Sequence, residues 1–175
     1  MTIIDHNPAF RIWQEAIKNA ENKCDVVLKN ELEDYLISML IRYTHKPEIV
    51  KQLFGKAFLE ALQVESYSRR SHLQEVGDQC LIFAGLFPKA AEKKLVKISY
   101  FVNLGQSAYS SISEVNAIFG SLAYEFVVIM DVLQSIRPWS ELLPLQAYEQ
   151  WNEVGSQRAL RILQEYTKGI PHKSF

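Results

Sequence analysis

Two acidic residues in one long apolar segment are the first candidates for chemistry. The segment from Glu114 to Ile136 is almost wholly apolar, yet beyond its first residue it contains Glu125 and Asp131. On a helical wheel Glu125 lies near Ile118, whereas Asp131 projects about 120° away. One of the two acids must then face less water, and we take Glu125 as that candidate. A buried carboxylate is paired, hydrogen-bonded or protonated. We therefore expect Glu125 either to meet an arginine or tyrosine of another helix or to face a ligand with a raised pKa.

Polar side chains also recur at helical spacing beside two tyrosines, Tyr100 and Tyr109. They are Ser99, Asn103, Gln106 and Ser110. A stripe of this kind either lines a pocket or forms an exposed helix face. Both interpretations stay open, and the first makes Tyr100, Asn103 and Tyr109 candidate ligand-binding residues.

Signatures of metal sites and of common catalytic sites do not occur in the sequence. A di-iron carboxylate bundle uses two Glu-x-x-His pairs, and none of the four histidines follows a glutamate at that spacing. His72 and Glu75 have the reversed spacing and lie opposite the apolar stripe of their helix, as a solvated pair would. There is no Gly-x-Ser-x-Gly elbow, phosphate-binding loop or dinucleotide fingerprint. We therefore predict no metal site, no cofactor and no catalytic residue.

The elements that would position these residues are helices. Six prolines interrupt the helical pattern, as expected because proline is tolerated in the first turn of a helix and not in its interior. Between them, apolar residues recur at spacings of three and four. The pattern predicts about seven helices: Pro8 to Ala20, Glu31 to Tyr43, Pro47 to Leu62, Ser71 to Phe87, Glu92 to Ile112, Glu114 to Ile136 and Leu145 to Thr167.

These helices predict an all-α fold, a single all-helical domain over residues 1–175 with the Glu114 to Ile136 helix at the centre of a bundle. Five glycines fall inside helical patterns, where each costs about 1 kcal/mol relative to alanine. We interpret them as points where two helix backbones approach closely, and the alternative is room for a ligand. They are Gly55, Gly77, Gly105, Gly120 and Gly155.

Three short motifs between Leu73 and Leu133 carry a resemblance. They are Gly77-Asp78 followed by Gly85 and Phe87, then Leu95-Val96 with Tyr100, and last Gly105 with Ala108-Tyr109. In this pattern the chain resembles a family of uncharacterised bacterial proteins. It departs from the family's pattern beside Tyr100, where Lys97 and Ser99 replace expected acids and Phe101 follows a single tyrosine. The resemblance implies relatedness without a mechanism. It directs attention to Asp78, Tyr100 and Tyr109, and Asp78 is either a brace between helices or a binding residue.

Composition limits the partners and the compartment. The chain has 19 basic and 20 acidic residues and a formal net charge of -1, so no electrostatic attraction draws it to nucleic acid or anionic lipid. Its start lacks a signal-peptide pattern, and no apolar run approaches the length of a membrane span. Cys24 and Cys80 are expected to be reduced thiols. We expect a cytoplasmic protein that binds neither nucleic acid nor membrane.

Three classes of function remain. A non-catalytic interaction module comes first because it needs no catalytic motif. It would form a homodimer, or bind another protein, through an apolar helix face and aromatics such as Trp139 and Trp151. A binder of a small apolar ligand comes second, with Glu125 and the tyrosines as polar anchors. An enzyme that uses a buried carboxylate such as Glu125 comes last.

Overall fold

The structure, a computed structural model, describes residues 7–44, 66–88, 97–136 and 142–168. Within these ranges the chain forms eight helices and no strand, which confirms the all-α fold class. The predicted helix from Pro47 to Leu62 lies outside the described residues. The helices are α1 (Pro8–Cys24), α2 (Asn30–Thr44), α3 (Ser66–Leu86), α4 (Ile98–Ser110), α5 (Ala117–Tyr124), α6 (Phe126–Ile136), α7 (Pro144–Val154) and α8 (Gln157–Thr167).

Helix α1 shows how local sequence sets the ends of an element. Asn7 accepts a hydrogen bond from the backbone N–H of Ala9 at 3.0 Å, and Pro8 follows in the first turn, where its missing N–H is harmless. The helix ends at Asp25, which adopts a left-handed conformation with φ 55°. It extends one turn beyond the predicted end because Ala20 and Cys24, four residues apart, are both buried against the bundle.

The core lies where α3 and α6 pass through the middle of the bundle. Residues 76–85 of α3 are buried on every side, and so are residues 129–135 of α6. Helix α3 packs against α4 and α6, while α1 packs against α2 and α6. The predicted central apolar segment is therefore central in its second half, and it shares that position with α3.

The predicted helix from Glu114 to Ile136 is two helices, α5 and α6. They meet at Glu125 with a bend of 69°. Glu125 has φ -91° and ψ 10°, outside the helical region. Because the segment is apolar on every face, its periodicity contains no mark of the bend. Among the described residues no single helix is long and apolar enough to cross a membrane, and only the bent pair α5 and α6 meets that criterion jointly.

The predicted helix from Leu145 to Thr167 is also interrupted. Gly155 ends α7 in the left-handed conformation with φ 74°, and Ser156 begins α8 as its N-cap. Gly155 therefore makes a turn between helices and not a close helix crossing. Helices α7 and α8 pack against each other as a hairpin, here called the α7–α8 hairpin (residues 142–168).

Two of the other predicted glycines, Gly77 and Gly105, lie at close helix crossings as expected, and so does Gly85, for which no crossing was predicted. A Cβ on Gly77 would lie 2.6 Å from the ring of Tyr109, and one on Gly85 would lie 2.5 Å from Leu133. A Cβ on Gly105 would lie 2.5 Å from the ring of Phe126. These contacts join α3 to α4, α3 to α6 and α4 to α6. Gly120 is different, since its nearest neighbour is Ser113 at an ordinary 3.6 Å, and Gly55 lies outside the described residues.

Candidate functional site

A buried carboxylate, Asp78 of α3, is the centre of a polar cluster that joins three helices. Its side chain is 0% exposed. Oδ1 accepts hydrogen bonds from the hydroxyls of Tyr35 and Tyr109, both at 2.6 Å. Oδ2 accepts one from the guanidinium of Arg42. We call these four residues the Asp78 cluster, and in it α2, α3 and α4 meet on one carboxyl group.

The sequence positions each donor by simple rules. Tyr35 and Arg42 are seven residues apart on α2, so two helical turns place them on one face. Gly77, next to Asp78, leaves the space that the ring of Tyr109 occupies. Phe119 of α5 then stacks on the Tyr109 ring, with centroids 6.2 Å apart and an interplanar angle of 17°. The hydroxyl of Tyr109 is therefore fixed in direction by packing on both faces of its ring.

Arg42 connects the cluster to the surface. Its side chain is 47% exposed and lies over the ring of Tyr43, 5.2 Å from the ring centroid. The side-chain amide of Gln74 donates a hydrogen bond to the Tyr35 hydroxyl at 3.1 Å. The cluster thus has a neutral, buried end at Tyr109 and a charged, half-exposed end at Arg42.

Burial controls the ionisation of the cluster. It raises the pKa of Asp78 to about 6, although hydrogen bonds from Tyr109 and Tyr35 and the charge of Arg42 oppose the rise. Burial and the charge of Asp78 raise the pKa of both Tyr35 and Tyr109 far above the ordinary value. Both phenols therefore stay protonated and donate. Burial lowers the pKa of Arg42, but the charge of Asp78 and the interactions with Tyr43 and Tyr35 together outweigh it, so the pKa is raised.

The arrangement is that of a brace and not of an open reactive group. Two phenol donors use the two lone-pair directions of Oδ1, and Arg42 is bound to Oδ2. A ligand could reach Asp78 only by displacing one of these donors from a fully buried position. The geometry therefore favours the structural interpretation of Asp78 that the sequence left open.

The structure brings together two of the five candidate ligand-binding residues, Asp78 and Tyr109. Tyr100 is exposed and packs edge to face on Phe101 with centroids 5.6 Å apart, and Asn103 is exposed as well. Glu125 is half-buried at the α5–α6 bend. The polar stripe of α4 is largely an exposed helix face.

Tyr35 and Arg42 were missed by the sequence analysis. Tyr35 falls among the apolar residues that recur along α2, and its ring packs edge to face on Phe119 at 6.3 Å. The available signal was the spacing of seven residues between a tyrosine and an arginine on one helix face, opposite a buried acid.

The interpretation of Glu125 as the more buried acid of its segment is wrong. Asp131 is the buried one, with 5% exposure, and its Oδ1 accepts a hydrogen bond from the hydroxyl of Ser156 at 2.6 Å. Burial raises the pKa of Asp131 to about 6, against the opposing effects of that hydrogen bond and of the charge of Arg158. The helical wheel failed because it assumed one straight helix, and the bend at Glu125 breaks that relation.

A third set of buried acids joins α1 to α2. Oε1 of Glu21 accepts a hydrogen bond from the backbone N–H of Leu28 at 3.0 Å, which fixes the connecting segment. Glu33 is paired with Lys18 at 2.6 Å. Burial and a hydrogen bond with Glu33 raise the pKa of Glu21. Across the ranges that the structure describes, no group of three or more His, Cys, Asp or Glu side chains is arranged to hold a metal ion.

Comparison with protein-family models, curated protein sequences and solved structures found no match to this chain. The resemblance to uncharacterised bacterial proteins therefore stays a prediction. Function has to be argued from the chain's own residues, and these show a braced helical bundle with its buried acids bound by other parts of the same chain.

Proposed function

We propose that this chain is a non-catalytic helical interaction module that self-associates through one face of α7. The observation that carries the proposal is a row of large apolar side chains on that helix. Leu145, Tyr148 and Trp151 are 77%, 48% and 37% exposed, and we call them the α7 stripe. Trp139, the other aromatic expected at a contact, lies outside the described residues.

The α7 stripe points away from the contacts that α7 makes inside the chain. The buried residues of α7 are Gln150, which lies opposite Tyr148 on the helix, and Ala147. Tyr148 and Trp151 pack edge to face with centroids 6.1 Å apart, so they form one aromatic surface. Tyrosine and tryptophan on an otherwise polar helix are typical of the centre of a protein–protein contact, where they contribute large area with few rotatable bonds.

A second copy of this chain is the occupant that we propose. A twofold axis places the same patch against itself, and an apolar stripe is complementary to its own copy. The net charge of each chain is only -1, so two copies repel each other weakly. Of the two acids on this helix, Glu149 lies one turn from Leu145 at the edge of the stripe, and Glu153 lies farther round the helix and is paired with Lys97 at 3.0 Å.

The interior geometry supports a non-catalytic function. Asp78 is bound by three donors from its own chain, and Asp131 is bound by Ser156. Neither acid is presented to a substrate. The spaces beside Gly77 and Gly105 are filled by Tyr109 and Phe126, so these glycines serve helix packing. This weakens the alternative proposal of a small apolar ligand between helices.

Sedimentation velocity with a pair of matched variants tests the proposal. Tyr148→Glu places a charge at the centre of the α7 stripe, and Tyr124→Glu makes the same change at a tyrosine that is 87% exposed on α5. We expect the wild type and Tyr124→Glu to sediment as dimers at micromolar concentration and Tyr148→Glu to sediment as a monomer. A monomeric wild type, or a dimer that survives Tyr148→Glu, would overturn the proposal.

A further inference from the structure

The α7–α8 hairpin has a small apolar cluster of its own. Its buried members are Leu142, Ala147 and Ala159, and the half-buried Ile162 and Leu163 pack against them. The main core is a separate cluster built from residues of α1 to α6 and the segments between them. Among the hairpin residues that the structure describes, Val154 is the partly buried apolar side chain that packs against the main core. The hydrophobic effect therefore stabilises each unit internally and contributes little to the contact between them.

Polar groups supply most of the specific contacts between the hairpin and the bundle. At the start of α8, the hydroxyl of Ser156 donates to Oδ1 of Asp131 at 2.6 Å and accepts from the backbone N–H of Ala159 at 3.0 Å. Ser156 is thus both the N-cap of α8 and the partner of a buried carboxylate on α6. The positive end of the α8 dipole faces the same carboxylate.

Two arginines of α8 extend this contact to other helices. Nη1 of Arg158 donates to Oε1 of Gln134 at 2.7 Å, and the amide of Gln134 donates to the carbonyl of Ala84 at 3.0 Å. The guanidinium of Arg161 donates to the backbone carbonyl of Cys24 at the end of α1. We call Ser156, Arg158 and Arg161 the α8 seam.

We infer that the α7–α8 hairpin opens as a unit while the bundle of α1 to α6 stays folded, and that the α8 seam sets how often it opens. Water can replace the hydrogen bonds of the seam when the hairpin lifts, so each contributes only a modest net stabilisation. Local opening of this kind has a lower free energy than global unfolding. The hairpin also carries the α7 stripe, but this inference does not depend on self-association.

The two cysteines of the chain report on the two kinds of opening. Sγ of Cys24 is buried within 3.0 Å of Ser135 Oγ and 3.4 Å from the carbonyl oxygen of Asp131, next to the α8 seam. Cys80 is 0% exposed in α3, in the middle of the main core. Lifting the hairpin uncovers the surroundings of Cys24 and leaves Cys80 buried. Burial raises the pKa of both thiols, so each is unreactive while it is buried and is labelled after an opening exposes it.

Native-state labelling of the full chain with N-ethylmaleimide, read by peptide mass spectrometry, measures both openings in one sample. We expect Cys24 to react at least tenfold faster than Cys80. Ser156→Ala and Arg161→Gln each remove one contact of the α8 seam that involves a charged group, and each is expected to increase the rate of Cys24 labelling at least about tenfold. Cys80 labelling should change less in both variants. Leu36→Ala, in the main core, is the converse control. Of the three variants, it should increase the rate of Cys80 labelling most.

Hydrogen exchange on the same samples separates hairpin opening from fraying of the α1 end. Backbone amides of α7 and α8 should exchange at the rate that limits Cys24 labelling, and they should exchange faster than the amides of α3. Equal labelling of Cys24 and Cys80 in the wild type would overturn the inference, because the hairpin would then open only with the whole bundle. Fast Cys24 labelling with α7 and α8 amides still protected would overturn it too, since α1 alone would have frayed.

Discussion

Replacing Tyr109 by phenylalanine tests the brace at Asp78 with a single oxygen atom. The Tyr109→Phe side chain keeps the ring between Gly77 and Phe119, so no large cavity forms. Oδ1 of Asp78 loses one of its two phenol donors while staying fully buried. A hydrogen bond to a charged group contributes about 1.5 to 3 kcal/mol. We expect the free energy of unfolding to fall by about 2 to 3 kcal/mol at pH 8.

The loss should depend on pH, because the hydrogen bond from Tyr109 lowers the pKa of Asp78. Without it, the folded-state pKa of Asp78 rises further above its wild-type value of about 6. A raised folded-state pKa means that the folded protein binds the proton more tightly than the unfolded chain. The variant therefore regains stability as the pH falls, and at pH 4.5 its deficit should shrink to about 1 kcal/mol, the contribution of a neutral hydrogen bond.

Urea unfolding followed by circular dichroism at pH 4.5, 6 and 8 measures both effects. Tyr100→Phe is the matched control, since it removes the hydroxyl of an exposed tyrosine on the same helix and should change stability by less than about 0.5 kcal/mol. The m-value should be the same in all three proteins. A Tyr109→Phe deficit as small as that of Tyr100→Phe, or a large deficit that is equal at every pH, would refute the account of the Asp78 cluster.

Two further predictions concern the wild-type pH profile and the helix crossings. The pKa of Asp78 and that of Asp131 are both raised to about 6, so the free energy of unfolding of the wild type should be highest near pH 4. It should fall as the pH rises through 6, by about 3 kcal/mol for each carboxyl. Urea titrations should show this pH dependence roughly halved in Asp131→Asn, and a stability that rises with pH would contradict the assignment. Gly85→Ala should lower the melting temperature through a clash with Leu133, at a cost of about 1 to 3 kcal/mol. Gly120→Ala, whose Cβ would make only an ordinary contact with Ser113, should gain up to about 1 kcal/mol from helix propensity. Equal effects of the two substitutions would contradict the packing described.

The sequence predicted the fold class well because helical periodicity is a local property. Proline placement and apolar spacing located α1, α2 and α3 within a few residues. The two missed breaks differ in kind. The turn at Gly155-Ser156 had a signal, a glycine C-cap followed directly by a serine N-cap. The bend at Glu125 had none, because it depends on α5 packing against α4 while α6 packs between α1 and α3.

The candidate site was predictable only in part for a related reason. Asp78 and Tyr109 were singled out from motifs, whereas their partners Tyr35 and Arg42 come from a helix more than thirty residues away in sequence. Which acid is buried depends on tertiary packing. A helical wheel that treated the bent segment as one straight helix therefore indicated Glu125 as the buried acid, although it is Asp131. The spacing of residues along one helix does not show which residues of a distant helix it will contact.

Native mass spectrometry of the gently purified protein tests the central claim most directly, because it reports the number of chains and any retained small molecule together. The proposal of a self-associating, non-catalytic module predicts a species at twice 20.2 kDa with no added mass, and a single chain for Tyr148→Glu. A wild-type monomer that carries added mass would contradict it and would favour the proposal of a bound small ligand.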